Sequence, residues 1–479
     1  MKQLINNDSV RNMLIEPPTV YPTPSQKVAQ DLPRVQLPAK FKDYKSYLRV
    51  LADEGAVWRY GSHLPETVKE RLDYELSVIS DDDALYFIII QDLVRAAHDR
   101  NLMVGPGRGS APGSLICYCL GITMVDPIKH GLLFERFITS DRTKLPDIDI
   151  DAEVGALGEL TEYLKETYGR EHVANIITYC RDKDCPNKVV GYGVHACGIA
   201  MSRLHMSHYT PLTKVNGKVV TVYDGMTIEE AGPVKIDILE SEILTLMHRL
   251  INIIREKRHV ELNIDMLPLD DQNTLEAFTK GYGAALLCGG ERLAEILAKL
   301  PSPTFDDLVA IHSLDRPGVI DSLPEYILRK RDPGKIAYPL QGMKEVLQGT
   351  YGLLIYQEQL MQLTKVIANF SRDETDDLCK AFRKKDSAML LRLCDKFVNG
   401  GVSNGYPVGE LEKVWCRWQK EAPSLFNKSH AVCHTMMAYQ IMYLRVHFAD
   451  EFRQIVDMYK RSSCETEYSY IDAIISIAK

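Results

Sequence analysis

KLPDIDIDAEV, residues 144–154, sets acidic and apolar side chains in strict alternation. That period is the signature of a β-strand, and the spacing predicts the clearest strand of the chain. In a strand, Asp147, Asp149 and Asp151 share one face, while Ile148 and Ile150 share the other. Three carboxylates a few ångströms apart repel and raise one another's pKa unless a cation neutralises them. Hard divalent ions such as Mg²⁺ take such oxygen ligands, together with waters and substrate phosphates. Further on, VKIDILE (234–240) reads as a second short strand, with Asp237 between Ile236 and Ile238. If the two strands are neighbours, their aspartates converge on one site with the dimensions of a two-metal phosphoryl-transfer centre, about 4 Å across. The other reading is an exposed acidic face that keeps a sheet edge from aggregating. Alternation alone leaves both open.

Upstream lies VGPGRGSAPGSL (104–115), which reads as a short strand, a Gly-rich turn and a helix opening with small residues. Such a turn presents backbone N–H groups and Arg108 to phosphates, with the helix N-terminus adding partial positive charge. It lacks the GK[ST] ending of a P-loop, and Pro112 interrupts the spacing of a dinucleotide fingerprint. An ordinary structural turn is the alternative. The order of parts is more telling: a Gly-Ser turn, a carboxylate strand, then a lone aspartate on a later strand. That is the plan of a nucleotidyltransferase palm of the polymerase-β type.

The rest of the chain bounds the possibilities. Of 479 residues, 45% are hydrophobic and 25% charged, a globular composition with length for about three domains. No run of about twenty uncharged apolar residues suits a membrane span, and MKQLINNDSV lacks the apolar core of an export signal. Eleven cysteines without regular spacing fit a reducing compartment, and a cytoplasmic protein is expected. With 57 basic against 65 acidic residues, net −8, a non-specific nucleic-acid coat is disfavoured, though an enzyme with a local basic cleft is not. Residues 1–45 are Pro-rich and aperiodic, an extended arm or linker. Residues 46–245 mix helical and strand patterns. Residues 246–479 are predominantly helical, in stretches such as ILTLMHRLINIIREKR and MMAYQIMYLRVHF.

VGPGRGSAPGSL, GLLFERF (131–137), LPDIDID (145–151), VKIDIL (234–239), TYGLLIYQEQLMQ (350–362) and LFNKSHA (425–431) occur in this order. Together they resemble the palm and fingers of the bacterial replicative DNA polymerase III alpha subunit, the C family, from about Arg71 to Phe452. The resemblance implies an α/β palm of the polymerase-β-like nucleotidyltransferase type, followed by mainly α-helical fingers. It also implies DNA-directed DNA polymerisation with two Mg²⁺ ions, deoxynucleoside triphosphates and primer–template DNA, with other replication proteins as further partners and no membrane. Asp147, Asp149 and Asp237 match the family's metal ligands, and Asp151 is a supporting carboxylate. Arg108, Gly109, Ser110, Arg136 and Lys235 match positions near the phosphates. Lys380, Lys384, Lys385, Asn427, Lys428, Ser429 and His430 match the segments of the fingers that cover the nucleotide.

Departures from the family qualify that picture. Residues 1–45 carry no His/Asp metal pattern of its PHP domain, and the parts that bind clamp, single-strand-binding protein and tau are not expected here. The DNA-gripping thumb is reduced to a short loop near 180–192. AALLCGG (284–290) replaces GVFQLES, and LCKAFRKK (378–385) replaces LRRAMGKK, placing Cys379 and Lys380 where two arginines usually stand. Arginine-to-lysine exchange loses bidentate phosphate contact. Weak grip implies distributive synthesis. The rival is a weakly active or inactive polymerase-like protein that binds a replisome partner; template-independent addition is another. Cys180, Cys185, His195 and Cys197 form a candidate zinc set at the shortened loop, with a spacing that matches no standard finger.

Overall fold

A computed structural model describes residues 15–138, 144–287 and 289–462. The chain divides into two compact units. The first takes its described residues from Met1–Gly105, Ile116–Thr123 and Arg142–Thr245; the second from Pro106–Leu115, Met124–Asp141 and Leu246–Lys479. No helix among the described residues is long and apolar enough to cross a membrane, and all nine described cysteines are free.

The first unit is built on a six-stranded mixed sheet. Its strands are β1 (Ile150–Ala152), β2 (Val173–Arg181), β3 (Val189–Met201), β4 (Leu212–Val215), β5 (Lys218–Asp224) and β6 (Val234–Glu240), in the order β1-β6-β3-β2-β5-β4. β1 runs parallel to β6, with Ile150 opposite Ile238. β3 runs antiparallel to β6, with Gly198 opposite Asp237. β6 alternates buried Val234, Ile236 and Ile238 with half-buried Lys235, Asp237 and Leu239. Helices Tyr44–Tyr60, Glu66–Val78, Asp81–Asp99 and Ala156–Tyr168 complete this unit. Helix Asp81–Asp99 begins with a capping box, in which the Ser80 hydroxyl and the Asp83 carboxylate each satisfy an end amide of the other's residue.

Several local expectations change. The acidic segment forms a ladder only over Ile150–Ala152, and Pro146, which has no N–H to donate, lies at its entry. The alternation nonetheless survives ahead of the ladder: Asp147 is exposed, Ile148 buried, Asp149 half-buried and Ile150 buried. The strand expected before the Gly-rich turn shrinks to one bridge, Val104 to Ala152. The expected loop at 180–192 is largely a β2–β3 hairpin, because the strands continue to Arg181 and resume at Val189. β4 and β5 close through Asn216-Gly217, both at positive φ (48° and 80°), the backbone that a tight hairpin turn requires.

Residues 1–14 of the arm lie outside the described residues; over residues 15–43 the arm has no helix, yet it is no free linker. Tyr21 N donates to Asn187 O (2.8 Å) and Val189 N to Thr19 O (3.0 Å), which ties residues 19–21 to the tip of the β2–β3 hairpin. The Tyr21 hydroxyl meets both Asp224 oxygens at 3.0 Å. Asp31 accepts from Arg203 (2.9 Å) and Tyr209 (3.0 Å).

The second unit is helical. Its core gathers Leu360, Leu363, Phe382, Phe397, Trp415 and Trp418 from successive helices. Helix Lys428–His447 is buried on nearly every side, from Ser429 and Val432 to Tyr439, Met442 and Leu444, as befits a central helix.

Two glycines test this packing. A Cβ on Gly55, inside helix Tyr44–Tyr60, would lie 2.0 Å from the Cys119 carbonyl oxygen, whereas one on Gly158 in helix Ala156–Tyr168 meets nothing within 4 Å. Gly55→Ala should therefore destabilise the protein by about 1–3 kcal/mol through overpacking. Gly158→Ala should stabilise it by about 0.5–1 kcal/mol. Urea denaturation of the two variants reads both signs.

Candidate active site

The parallel register of β1 and β6 fixes the centre of the site. Ile150 lies opposite Ile238, so Asp149, just ahead of β1, and Asp237 of β6 precede paired residues at the same end of the two strands. Their isoleucine neighbours point into the core. Asp147 shares the neighbourhood: partial desolvation of its carboxyl, on a residue still open to solvent, then the charge of Asp237, then that of Glu229 push its pKa above the usual carboxylate value, and Lys235 opposes them. The Lys235 ammonium pairs with Asp237 Oδ2 at 2.5 Å. Asp151 is buried, and its backbone carbonyl accepts from Gly105 N at 2.8 Å.

Three features here were not anticipated from sequence. The buried Tyr86 phenol is held neutral by burial and by the charges of Asp147 and Asp149, and it also meets the Ile148 backbone. Glu229 adds a carboxylate from a single 3₁₀ turn, Glu229–Ala231, where no periodicity marks it. Gln30 of the arm accepts from Leu145 N (2.9 Å) and donates to Glu229 (3.0 Å), so one side chain braces both acidic segments.

His195 and Cys197 of β3 reach the same place. Cys197 Sγ lies 3.5 Å from Asp237 Oδ1 and 3.6 Å from His195 Nδ1. Burial first, then the charge of Asp237, push the Cys197 thiol up to about 11. His195, Cys197 and Asp237 are the one three-residue group among the described residues whose metal-ligating atoms all lie within 4.8 Å of one another. The candidate zinc set is thereby corrected: Cys180 and Cys185 are exposed near the hairpin tip and do not join it. The hairpin ladder carries them away, with Cys180 opposite Gly191. Asp147 and Asp149 do not complete such a group with Asp237 in this conformation.

The remaining positions fall in the second unit. Gly107 and Gly109 take positive φ (126° and 63°), and the turn leads into the 3₁₀ segment Ala111–Gly113 and a helix of only five residues, Leu115–Cys119. A helix that short offers little dipole, so that part of the expectation falls. Gly109 N donates to His430 Nδ1 at 3.3 Å. Asn427 caps helix Lys428–His447 by accepting from His430 N (3.3 Å). The first amides of that helix donate to buried Glu358, Lys428 N at 2.9 Å and Ser429 N at 3.4 Å. The Lys428 ammonium donates to His130 O (2.6 Å), while the Ser429 hydroxyl is buried without a partner among the described residues. Arg136 donates to Gln357 (2.9 Å). Lys380, Lys384 and Lys385 are exposed on and just beyond helix Arg372–Lys384, with Lys380 paired to Asp376. Ser110 begins the 3₁₀ turn, its carbonyl accepting from Gly113 N at 2.9 Å.

Comparison with known proteins gives this arrangement a family. Residues 46–190 match the model for the bacterial DNA polymerase III alpha NTPase domain, and residues 243–405 match the model for the bacterial DNA polymerase III alpha subunit finger domain. The DNA polymerase III subunit alpha of Aquifex aeolicus (strain VF5) is 32% identical over 88% of this chain and 44% of its own length. That of Staphylococcus aureus (strain COL) is 32% identical over 80% of this chain and 42% of its own. The chain belongs to the bacterial DNA polymerase III alpha family. It spans less than half the length of these alpha-subunit relatives.

Within the second unit, His312 and His434 stack at 5.4 Å and His430 lies 5.0 Å from His434. Burial, then the neighbouring His312 and His430, hold the His434 pKa down to about 3. Burial and Arg108 hold His430 down to about 4. An unfolded histidine titrates near 6.5, so protonation favours the unfolded chain. Stability is complete above that pH and falls as the pH drops toward the folded values, by up to about 1.4 kcal/mol per pH unit for each histidine. His434→Gln should remove about one proton's share of the slope between pH 6.5 and 5, read from urea midpoints across that range.

Proposed function

We propose that this chain is a DNA-directed DNA polymerase whose first unit is a polymerase-β-type palm. In this reading it joins a deoxynucleoside triphosphate to a primer 3′-hydroxyl with release of pyrophosphate. The observation that carries the proposal is the β1–β6 register, which supports placement of Asp149 and Asp237 at the same end of the paired strands, with Asp147 electrostatically coupled to Asp237, in a chain of a polymerase family.

Asp147, Asp149 and Asp237 would hold two Mg²⁺ ions; all are oxygen ligands, and the raised pKa of Asp147, from desolvation first and then the charge of Asp237, suits hard cations. Bound there, Mg²⁺ lowers the pKa of the primer hydroxyl and stabilises charge developing on the phosphoryl oxygens. The chain's own groups do the positioning. Lys235 holds Asp237 in place, and Gln30 braces the segment that carries Asp147. Arg108, Gly109 and Ser110 would receive the triphosphate through guanidinium and backbone donors. Arg136 and the exposed Lys380, Lys384 and Lys385 would balance its charge, and the Asn427–His430 segment would shape the nucleotide's cover. Primer–template DNA is the macromolecular partner in this reading, with other replication proteins as further candidates.

Primer extension with Mg²⁺ tests the assignment directly: wild type should extend a templated primer, while Asp149→Ala should fall by at least about a hundredfold. Wild-type product no greater than the mutant's would refute it. Gln30→Ala should leave some extension but raise the Mg²⁺ requirement by about tenfold, because the segment that carries Asp147 loses its brace to the arm. Synthesis should be distributive, with product length collapsing when unlabelled primer–template is added as a trap. Its rate should fall steeply between 50 and 200 mM salt, because phosphate contacts release counterions.

A further inference from the structure

We propose that His195, Cys197 and Asp237 form a site for one thiophilic divalent cation, of the Zn²⁺ or Cd²⁺ class. Its donor set differs from the all-oxygen set of the three aspartates, and it shares only Asp237 with that set.

Strand geometry builds the site. β3 and β6 pair antiparallel with Gly198 opposite Asp237, and the register shift of β3 against β2 between Val194 and Ile199 falls on His195 and Cys197, next to that carboxylate. A tetrahedral ion about 2.3 Å from sulfur and about 2.0–2.1 Å from nitrogen or oxygen needs ligand atoms about 3.5 Å apart. The observed separations are 3.5 Å from Cys197 Sγ to Asp237 Oδ1 and 3.6 Å from Sγ to His195 Nδ1. The two oxygens of Asp237 divide their work: Oδ2 is held by Lys235, and Oδ1 faces the thiol. Gly198 leaves the space open, since a Cβ there would lie 3.0 Å from His195 Nδ1 and 3.3 Å from Asp237 Oδ1.

Thiolate, imidazole and carboxylate are the ligands that borderline and soft ions take in preference to Mg²⁺. Three protein ligands leave a fourth position for water. His195 Nδ1 already accepts from Gly198 N (2.9 Å) and Cys197 N (3.3 Å), so the ion must displace those hydrogen bonds as the thiol proton leaves to solvent. That exchange moderates the affinity, and it suits a regulatory or inhibitory ion better than a permanent structural one. If the polymerase reading above holds, an ion here withdraws Asp237 from the Mg²⁺ set.

The test is a Cd²⁺ titration of the full chain without DNA or nucleotide, followed by the ultraviolet thiolate-to-cadmium absorption. It reads binding alone and so stands or falls apart from the polymerase reading. Wild type should bind one more equivalent than Cys197→Ser, while the Cys180→Ser/Cys185→Ser double variant should keep that equivalent. Equal stoichiometry in wild type and Cys197→Ser, or loss of the equivalent in the double variant, overturns the proposal. A second measurement needs no variant: Zn²⁺ should slow alkylation of Cys197 by iodoacetamide at least about tenfold, as mapped by peptide mass. An unchanged Cys197 rate overturns the proposal as well.

Discussion

Parallel pairing of a three-residue strand with β6 is the constraint on which the candidate site of this protein depends. It joins two stretches about ninety residues apart in sequence and brings Asp149 and Asp237 to the same end of the paired strands. Backbone hydrogen bonds and buried isoleucines on the opposite face hold the pair, since the carboxylates themselves repel. Ile148, Ile150, Ile236 and Ile238 are each almost wholly buried. A one-residue slip of either strand would turn the aspartates into the core and the isoleucines to water, so the apolar face fixes the acidic one.

Several neighbours manage the resulting charge. Lys235, two residues from Asp237 on the same strand face, supplies the compensating cation. Tyr86 lies buried and neutral beneath the acidic segment, which adds a dipole without adding charge. The arm contributes through Gln30, a neutral amide that ties Leu145 to Glu229. An amide suits that position because it both donates and accepts, serving a backbone N–H and a carboxylate together.

The helical unit is organised around a different electrostatic device. Buried Glu358 takes the first amides of helix Lys428–His447, whose positive end would otherwise be unsatisfied. Burial raises the Glu358 pKa, while the Lys428 and Ser429 amides and the charge of Arg136 lower it. The motif residues Asn427 and Lys428 are thus engaged with their own fold as cap and tether, and the three half-buried histidines His312, His430 and His434 stay neutral in one cluster.

The alternation of Asp147–Asp151, the isolated Asp237 and the long amphipathic stretches after residue 245 were legible because they depend on period and composition, which are local. They were enough to mark the α/β and helical parts and the acidic segments, whereas the family came from the likeness of six motifs in order. The Asn216-Gly217 hairpin signal was also present in the sequence, and went unread for want of strong flanking alternation. What only the tertiary structure decided depends on meetings between distant residues: Cys197 with Asp237 rather than with Cys180, Gln30 with Glu229, Tyr86 with the Ile148 backbone. Those meetings follow from strand order and register, which are set by the packing of the whole sheet. No local pattern encodes them, and an aperiodic arm can brace a site without any sign of it in its own residues.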